Sequence, residues 1–493
     1  MEKTDYLDEQ TTRKEKLIKL RSEIDTPYPS RIQRSHTIRE ILDNFTDLEK
    51  SGSEIKIVGR LRSIRKHGGS TFTHLEDESG KMQIYFKKDK VTEKVYEFFG
   101  ASIDVGDFIE VTGTLFVTKK GENTILAKSL VLISKALMPL PEKWHGLKDV
   151  ETRYRKRYLD LLSNSEVKEI FLTRSKVIKF IRNYFINQGF LEVDTPILQL
   201  VASGAIAKPF KTHHNALNTD LFLRIAPEIY LKELIVGGFE KVFEMARCFR
   251  NEGIDYAHNP EFTQIEFYWA YKDYQALMKF TEELLYNLVK EVNGSTKVSY
   301  DNYELDFKPP FARVDFREAL IKECGVDLDK YDEKSIQKIA KEKGLKVEKE
   351  WEKGKIADEL FKKFVRPKLI NPTFLINHPI ELSPLAKQIP GRPNYVERFQ
   401  VVLGGAIELC NAYSELNDPI EQEERFKQQA KLTRKGDEEA MKKDEEFVEA
   451  LKYGMPPTAG FGMGIERLVN VITNTHNVKE VILFPTLKPE QNE

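Results

Sequence analysis

The chain has 493 residues, which is long enough for two or more domains with separate hydrophobic cores. Hydrophobic residues make up 40% of the chain and charged residues 31%, a balance typical of a soluble globular protein. The formal net charge of −1 excludes overall charge as the basis of binding to a membrane or to nucleic acid. Any nucleic-acid site must therefore depend on a local patch.

Targeting and cysteine patterns predict a cytoplasmic protein. The first ten residues are polar and acidic without a signal-peptide core, and no apolar stretch is long enough to span a bilayer. Cys248, Cys324 and Cys410 lie far apart, with neither metal-ligand spacing nor a disulfide framework. We therefore expect buried packing cysteines, a reducing compartment and no membrane partner.

Residues 1–50 predict a helical N-terminal extension. Leu17, Leu20 and Ile24 recur at helical spacing within Thr11–Ile24, and Pro27 follows them. The remaining face of this helix is basic. That face is compatible with RNA contact and equally with a solvated surface.

Residues 51–140 predict a small β-barrel. Five β-rich runs occur between glycine-containing turns: Ile55–Leu61, Thr71–Glu76, Met82–Phe86, Asp107–Leu115 and Ile125–Ile133. This pattern favours an OB-fold, an architecture that often binds single-stranded nucleic acid through aromatic and basic residues on one face. Phe72, His74 and Gln83 lie on the predicted strands, where ordinary barrel packing explains each of them equally well.

The rest of the chain predicts a linker at 141–165 and an α+β domain at 166–493. Val167–Gln188 has a strong helical pattern that ends at Gly189. Strands and helices then alternate irregularly, which favours an antiparallel sheet flanked by helices. Neither GxGxxG nor a P-loop pattern occurs, so no Rossmann or P-loop nucleotide site is expected. The lysine- and glutamate-rich stretch 327–363 predicts solvated helices in a peripheral insertion.

One stretch of the second domain combines charge with strand periodicity. Alternate residues after Pro260 would share one face of a strand: Phe262, Gln264, Glu266 and Tyr268. Arg250 and Glu252 come shortly before them. A wall of this composition suits an anionic ligand, such as a nucleotide phosphate, beside a cationic one.

Three motifs, in order, resemble those of the class II aminoacyl-tRNA synthetases, and specifically the lysyl-tRNA synthetases. They are Gly189–Pro196 for motif 1, Phe249–Glu252 with the following loop and strand for motif 2, and Gly460–Leu468 for motif 3. Three further stretches resemble the lysyl subfamily rather than its aspartyl and asparaginyl cousins: Lys208–Leu217, Arg224–Lys232 and Asn411–Asp418. The similarity extends from Lys16 to Pro489 and is weakest at 327–363.

The resemblance implies both a fold and a reaction. The fold would be an N-terminal five-stranded OB-fold barrel that binds the anticodon and a class II catalytic domain, assembled as a homodimer through motif 1. The reaction would be the ATP-dependent activation of L-lysine to lysyl-adenylate and its transfer to the 3′ end of tRNA(Lys). Mg²⁺ would be the cofactor.

Activation joins two anions, because a carboxylate attacks the α-phosphate, so positive charge has to lie between them. By resemblance, Arg250 bridges the two groups and Arg467 holds the terminal phosphates. The resemblance assigns the adenine to Glu252, His258, Asn259 and Phe262. It assigns Mg²⁺ to Glu408, with Glu415 as a further candidate ligand.

Lysine selection requires buried carboxylates, because the ε-ammonium loses its water on binding. By resemblance, four residues surround the side chain of the substrate: Glu266, Tyr268, Tyr413 and Glu415. Glu228 would take the α-ammonium. Asn411 would hold the α-carboxylate together with Arg250, and Gly204 would allow a close backbone approach.

In the barrel, the resemblance implies that Phe72 stacks on an anticodon base and that Gln83 hydrogen-bonds one. Arg65 would contact a phosphate or a base. These residues would read an anticodon with unstacked, U-rich bases.

The segment before Glu408 departs from the family pattern. Gln400–Ile407 is one residue longer than usual, and Gln400 stands where a carboxylate is often expected. The second Mg²⁺ ligand is therefore open. A bulge at Gly404-Gly405 would accommodate the extra residue.

Two other functions compete with tRNA charging. One is a synthetase-like ligase that modifies a protein lysine. Such relatives lack the barrel, so the intact Ile55–Leu137 argues against it. The other is a non-catalytic RNA-binding or regulatory paralogue, against which four retained residues argue: Arg250, Glu408, Glu415 and Arg467.

Overall fold

The computed structural model describes residues 3–141, 147–205, 207–348, 351–434 and 444–490. They divide into two units, Met1–Gly146 and Leu147–Glu493. The predicted linker 141–165 lies partly outside the described residues, and its later part forms two short helices of the second unit. Within the described ranges, no helix has the length and apolar character needed to cross a membrane.

The first unit contains a closed barrel with the strand order β1-β2-β3-β5-β4. Its strands are β1 Ile55–His67, β2 Ser70–Glu76, β3 Lys81–Lys87, β4 Phe108–Val117 and β5 Asn123–Ser134. Buried residues alternate along β1 and β2, as expected for strands with one face in a core. The predicted five-stranded barrel is therefore confirmed.

Four helices accompany the barrel: α1 Lys3–Glu23, α2 Ile38–Asp43, α3 Phe45–Ser51 and α4 Glu93–Ser102. The helix predicted at Thr11–Ile24 is confirmed as part of α1. Two cations of its basic face are used within the unit, since Arg13 donates to the carbonyl of Val105 at 3.0 Å and Lys16 pairs with Asp104 at 2.6 Å. These two side chains are therefore not free for an external ligand.

The second unit is organised around an eight-stranded sheet with the order β14-β15-β18-β19-β20-β11-β10-β6. Its strands are β6 Leu191–Glu192, β10 Lys241–Phe249, β11 Glu261–Ala270, β14 Ala312–Asp315, β15 Thr373–Ile376, β18 Arg398–Leu403, β19 Ile407–Ser414 and β20 Thr458–Gly464. All pairings are antiparallel except β10 with β6 and β14 with β15. The predicted α+β class with an antiparallel sheet is confirmed.

Smaller sheets and helices surround this sheet. The remaining strands are β7 Leu198–Gln199, β8 Lys211–His214, β9 Thr219–Leu223, β12 Lys297–Tyr300, β13 Tyr303–Asp306, β16 Gln388–Ile389 and β17 Arg392–Val396. The helices are α5 Val150–Arg155, α6 Arg157–Ser163, α7 Ser165–Asn187, α8 Glu228–Val236, α9 Tyr274–Asn293, α10 Phe316–Cys324, α11 Glu333–Glu342, α12 Lys353–Phe364, α13 Pro419–Arg434, α14 Glu445–Lys452 and α15 Ile465–Thr473.

The two faces of strand β11 have opposite environments. Ile265 and Phe267 point into an apolar core with α7 and α9, where the ring of Phe267 lies 4.9 Å from Phe185 and 5.4 Å from Phe280. The alternate residues Phe262 to Tyr268 line a cavity on the other face. Because successive side chains of a strand point to opposite faces, the aromatic core holds the cavity wall in register.

The charged stretch 327–363 forms α11 and most of α12, as its composition predicts. Its helices are not fully solvated, because Ile336, Ile356, Leu360 and Phe361 are buried in a separate apolar cluster. The expectation of solvated helices therefore applies to one face of each helix.

The irregularity before Glu408 does not lie at Gly404-Gly405, so the predicted bulge there is wrong. The two glycines form the turn between β18 and β19, both with positive φ. The register shifts instead where Val401 pairs with Cys410 but Val402 pairs with Glu408, so the extra residue is Leu409 on β19.

Candidate active site

A cavity of about 390 Å³ lies over the sheet of the second unit. Its lining includes residues that the sequence predicts to bind ATP and residues that it predicts to bind lysine: Gly204, Glu228, Arg250, Glu252, His258, Asn259, Phe262, Glu266, Tyr268, Glu408, Asn411, Tyr413 and Arg467. The structure therefore brings these residues together although they come from distant parts of the chain. Glu415 and Gln400 are absent from this lining.

The floor of the cavity depends on a glycine strand. Alternate residues of β20, which lies between β11 and β19, are Gly460, Gly462 and Gly464. A Cβ on Gly460 would overlap the Oε1 atom of Glu415 and the ring of Tyr268. The missing side chain therefore makes room for an acidic and an aromatic group beneath the cavity.

A second glycine gives the backbone close access to the opposite wall. Gly204 has φ +89°, and a Cβ there would lie 3.0 Å from the Cβ of Glu228. Both the conformation and the space favour glycine at this position.

Three nearly buried carboxylates meet at one end of the cavity: those of Glu228, Glu266 and Glu415. The ammonium of Lys232 lies 2.6 Å from Glu228 Oε1 and 2.5 Å from Glu415 Oε2. Tyr413 OH donates to Glu228 Oε1 at 2.7 Å. Two of the three acids are therefore paired with the same base.

Glu266 has only neutral donors. Tyr268 OH donates to its Oε1 and the Gln264 amide to its Oε2, both at 2.7 Å. Burial, together with the charge of Glu228, raises the pKa of Glu266 to about 8. A ligand cation that reached this carboxylate would stabilise its charged form.

The ionisation of the ion pair between Glu415 and Lys232 depends on burial and on the attraction between the two groups. Burial raises the pKa of Glu415 well above its ordinary value, and Lys232 opposes this rise. Burial lowers the pKa of Lys232, but the carboxylates of Glu228 and Glu415 outweigh it and leave that pKa above the ordinary value. Lys232 is therefore charged, and the acidic end as a whole still lacks positive charge.

Arg250 and Arg467 bring positive charge to another part of the cavity lining. The guanidinium carbon of Arg250 lies 5.0 Å from the centre of the Phe262 ring, and its buried Nε has no hydrogen-bond partner among the described residues. Arg467, near the start of α15, donates through Nη1 to the carbonyl of Glu408 at 2.9 Å. This end suits an anion, because a buried donor without a partner gains most from an acceptor.

The loop before β11 is tied to the C-terminal segment 478–488. The amide of Val478 donates to the carbonyl of Tyr256 at 2.9 Å, and the amide of Thr486 donates to Asn259 Oδ1 at 3.2 Å. Asn259 Nδ2 donates to the Glu261 carbonyl at 2.6 Å. His258, which is exposed, contacts Asp255 at 2.9 Å.

The C-terminal segment is itself held by a buried arginine. Arg157, only 1% exposed, donates to the carbonyls of Lys479 at 2.8 Å and Leu483 at 3.0 Å and pairs with Asp160 at 2.6 Å. The sequence did not predict a role for this segment or for Arg157 in the site. The signal that could have indicated Arg157 is the basic run in which it lies.

Two predicted metal ligands have partners within the protein. Gln400 is buried, and its Oε1 lies 3.2 Å from His378 Nε2. Glu415 lies beneath the cavity next to Gly460, and its Oε2 is paired with Lys232. Among the described residues, no group of three or more histidine, cysteine or acidic side chains could hold a metal ion. Of the three predicted metal ligands, Glu408 lies on the cavity wall, which fits a Mg²⁺ ion that takes most of its ligands from phosphates and water.

Two further site residues were missed in the sequence. Arg398 is half-buried at the cavity wall and donates to Asn411 Oδ1 at 2.7 Å and to the carbonyl of Leu382 at 2.7 Å, which fixes the orientation of Asn411. Lys232 was missed as well. Its spacing of one helical turn from Glu228 was a usable signal, but its contact with Glu415 is not visible in local sequence.

The predicted anticodon residues lie on the barrel of the first unit. Phe72 stacks on Tyr85 with ring centres 4.4 Å apart, and Arg65, which is exposed, lies opposite Phe72 in the ladder. Gln83 is buried and donates to Thr124 Oγ1 at 2.9 Å. Tyr85, which we did not predict, extends the aromatic surface.

Comparison with known proteins covers both units. Residues 149–488 match the family described as tRNA synthetases class II (D, K and N). Residues 55–133 match the OB-fold nucleic acid binding domain. The closed barrel is thus an OB-fold, as predicted.

Similar proteins match along nearly the whole chain. A lysine–tRNA ligase from Pelotomaculum thermopropionicum is 48% identical over 482 residues, which cover 97% of this chain and 94% of the relative. One from Clostridium perfringens is 48% identical over 490 residues, with 98% and 97% covered. One from Moorella thermoacetica is 47% identical over 480 residues, with 97% of both covered.

We expect Gly460→Ala to destabilise the second unit by about 1–3 kcal/mol, because the added methyl group overlaps Glu415 and Tyr268 in a packed site. The midpoint of urea unfolding measures the change. Gly253→Ala is the matched control, since nothing lies within 4 Å of its Cβ position, and its effect should stay within about 0.5 kcal/mol. Equal midpoints for the two variants would contradict the proposed overlap.

Proposed function

The chain belongs to the lysine–tRNA ligases of the class II aminoacyl-tRNA synthetase family, and from this premise we propose how its residues divide the work. The protein is a ligase that activates L-lysine with ATP and charges tRNA(Lys). One observation carries the assignment of roles. The cavity is lined by an arginine whose buried Nε has no hydrogen-bond partner among the described residues, and three nearly buried carboxylates lie in or beside its lining, which suits a substrate with one carboxylate and two ammonium groups.

In the activation step, Arg250 would bridge the lysine carboxylate and the α-phosphate. Its Nε supports this role, because this buried donor has no hydrogen-bond acceptor among the described residues. Arg467 would hold the terminal phosphates. Fixed positive charge of this kind lowers the barrier for the attack of one anion on another.

The adenine would stack on Phe262, with Glu252 and His258 beside it. Asn259 also lines the cavity, but its amide is engaged with Glu261 and Thr486. We therefore propose that Asn259 contributes mainly by shaping the loop that covers the base.

Mg²⁺, when bound, would neutralise phosphate charge, and Glu408 is the side chain of this site that would hold it. A single carboxylate is sufficient for such a role, because Mg²⁺ usually keeps several waters and takes phosphate oxygens as ligands.

For lysine, we propose that the ε-ammonium approaches Glu266 and the Oε1 atom of Glu415, and that Glu228 takes the α-ammonium. Glu415 Oε1 supports this role because it is buried without a hydrogen-bond partner among the described residues. Asn411, oriented by Arg398, would hold the α-carboxylate. Neutral amino acids would leave a buried carboxylate uncompensated, and this cost would exclude them.

For tRNA, the OB-fold barrel would bind the anticodon, with Phe72 and Tyr85 as a stacking surface and Arg65 near the backbone. Gln83 would contribute through its remaining carbonyl oxygen, since its amide donates to Thr124. We further propose that the enzyme acts in the cytoplasm.

We also propose a homodimer through motif 1. Large apolar side chains around this motif are about half exposed, among them Ile186, Leu191, Ile197, Leu198 and Leu200. So many exposed apolar residues along one short stretch are typical of a surface that is covered by a partner.

ATP–pyrophosphate exchange tests the proposed function. Exchange should depend on L-lysine, should be weaker with ornithine, and should not occur with methionine, which brings only one ammonium group. Arg250→Lys should lower kcat/KM for lysine by about 100-fold, because a point charge replaces a bidentate fork. Exchange that does not respond to lysine would overturn the assignment.

Phe72→Ala should lower kcat/KM for charging of tRNA(Lys) by about 5- to 100-fold, because stacking of a base on an aromatic ring is worth about 1–3 kcal/mol. Lysine-dependent pyrophosphate exchange should not change, since the barrel belongs to the other unit. Val131→Ala, an exposed position on β5, is the control and should charge normally. Normal charging by the Phe72 variant would remove this residue from the anticodon site.

The double variant Leu198→Asp/Leu200→Asp should be monomeric in sedimentation analysis where the wild type is dimeric, because charge on this surface opposes burial. Ile420→Asp, at a residue that is 81% exposed on α13, is the control and should remain dimeric. A wild-type protein that sediments as a monomer would refute the dimer.

A further inference from the structure

The ammonium of Lys232 is enclosed on all sides. Helix α8 carries Glu228 and Lys232 one turn apart, and Glu415 completes the ion pairs at 2.5 Å. The rings of Tyr268, Tyr413 and Phe447 are centred 5.8, 5.6 and 5.6 Å from Nζ. The side chain of Lys232 is fully buried and does not line the cavity.

We propose that Lys232 is a positioning residue that sets the charge of the lysine pocket and favours the ionised form of the two carboxylates that it contacts, those of Glu228 and Glu415. This inference rests on the proposed function. When L-lysine is bound and all three acids are ionised, Glu228, Glu266 and Glu415 carry three negative charges, and Lys232 carries one positive charge. Two negative charges are then left without a cation, and we call this number the charge deficit. It matches the two ammonium groups of L-lysine, whose carboxylate is taken by Arg250.

The deficit gives Lys232 a part in selectivity. A neutral amino acid brings a single ammonium, so one buried carboxylate stays uncompensated when it binds. Without Lys232 the deficit would be three, and even L-lysine would leave one carboxylate without a cation. The buried lysine thus adjusts the pocket to its substrate without touching it.

Without Lys232, Glu228 and Glu415 would face each other in a space without water. Two carboxylates that share such a site hold a proton between them, because they cannot both ionise. Among the described residues, the other groups around Nζ are Glu266 and Tyr268 on β11, Tyr413 on β19 and the apolar ring of Phe447, and none of these four is a cation. A shared proton would weaken the attraction for the ammonium groups of the substrate.

An effect of the Lys232 charge and an effect of its packing predict different pH dependences of the lysine KM. In a Lys232→Met variant, the shared proton has to leave before lysine binds. The missing ammonium raises the carboxyl pKa values, so the proton leaves only at higher pH. The lysine KM of the variant, divided by that of the wild type, should therefore fall as the pH rises. A cross-link that acts by packing alone predicts a ratio that does not change with pH.

Pyrophosphate exchange between pH 7 and pH 9 tests the proposal. At pH 7, Lys232→Met should raise the KM for lysine by about 100-fold, and its KM for ATP should stay within about twofold of the wild type. The ratio of the lysine KM values should fall by at least about fivefold at pH 9. Lys232→Arg, which keeps the charge, should show a smaller increase and a ratio independent of pH.

Two controls complete the experiment. Lys279→Met, at an exposed position on α9, should behave as the wild type. ATP binding measured by calorimetry reports folding, and Lys232→Gln replaces the methionine variant if the latter does not bind ATP.

The outcomes separate the two proposals. A wild type without lysine-dependent exchange overturns the function and the inference with it. If the wild type is active, a neutral variant with an unchanged lysine KM, or with a ratio independent of pH, overturns the inference alone.

Discussion

Burial of acid groups is the constraint on which this site depends. Three carboxylates lie out of water at one end of the cavity, and such groups persist only where nearby donors and cations compensate them. Lys232 supplies a cation, Tyr413 and Tyr268 supply hydroxyl donors, and Gly460 leaves the space that the arrangement needs. The negative charge that Lys232 does not balance is available to bind a substrate with two ammonium groups.

The sheet makes this arrangement possible because it separates two environments across one layer of backbone. On one face of β11, interlocked aromatic rings such as Phe185 and Phe267 fix the strand. On the other face, the fixed strand backbone holds Glu266 and Tyr268 side by side, and the Tyr268 hydroxyl donates to Glu266 Oε1. Recognition of charge thus relies on the apolar packing behind it.

Local patterns in the sequence were sufficient to predict the barrel, the antiparallel sheet and the two faces of β11, because each depends on spacing within one segment. Contacts between distant segments were not predictable in this way. Lys232 was missed because Glu415 meets it only in the folded chain, and the bulge was misplaced because its position at Leu409 depends on the register with β18. The glycines that suggested a bulge form a turn instead.

The tie between the C-terminal segment and the loop before β11 has a consequence for biosynthesis. A nascent chain exposes the acidic residues long before residues 478–486 emerge to meet Tyr256 and Asn259. Early contacts in the second unit therefore form before the C-terminal segment can bind the loop before β11. Contacts between such distant parts of a chain form slowly in folding. Substrate recognition is then among the last properties that the newly made protein acquires.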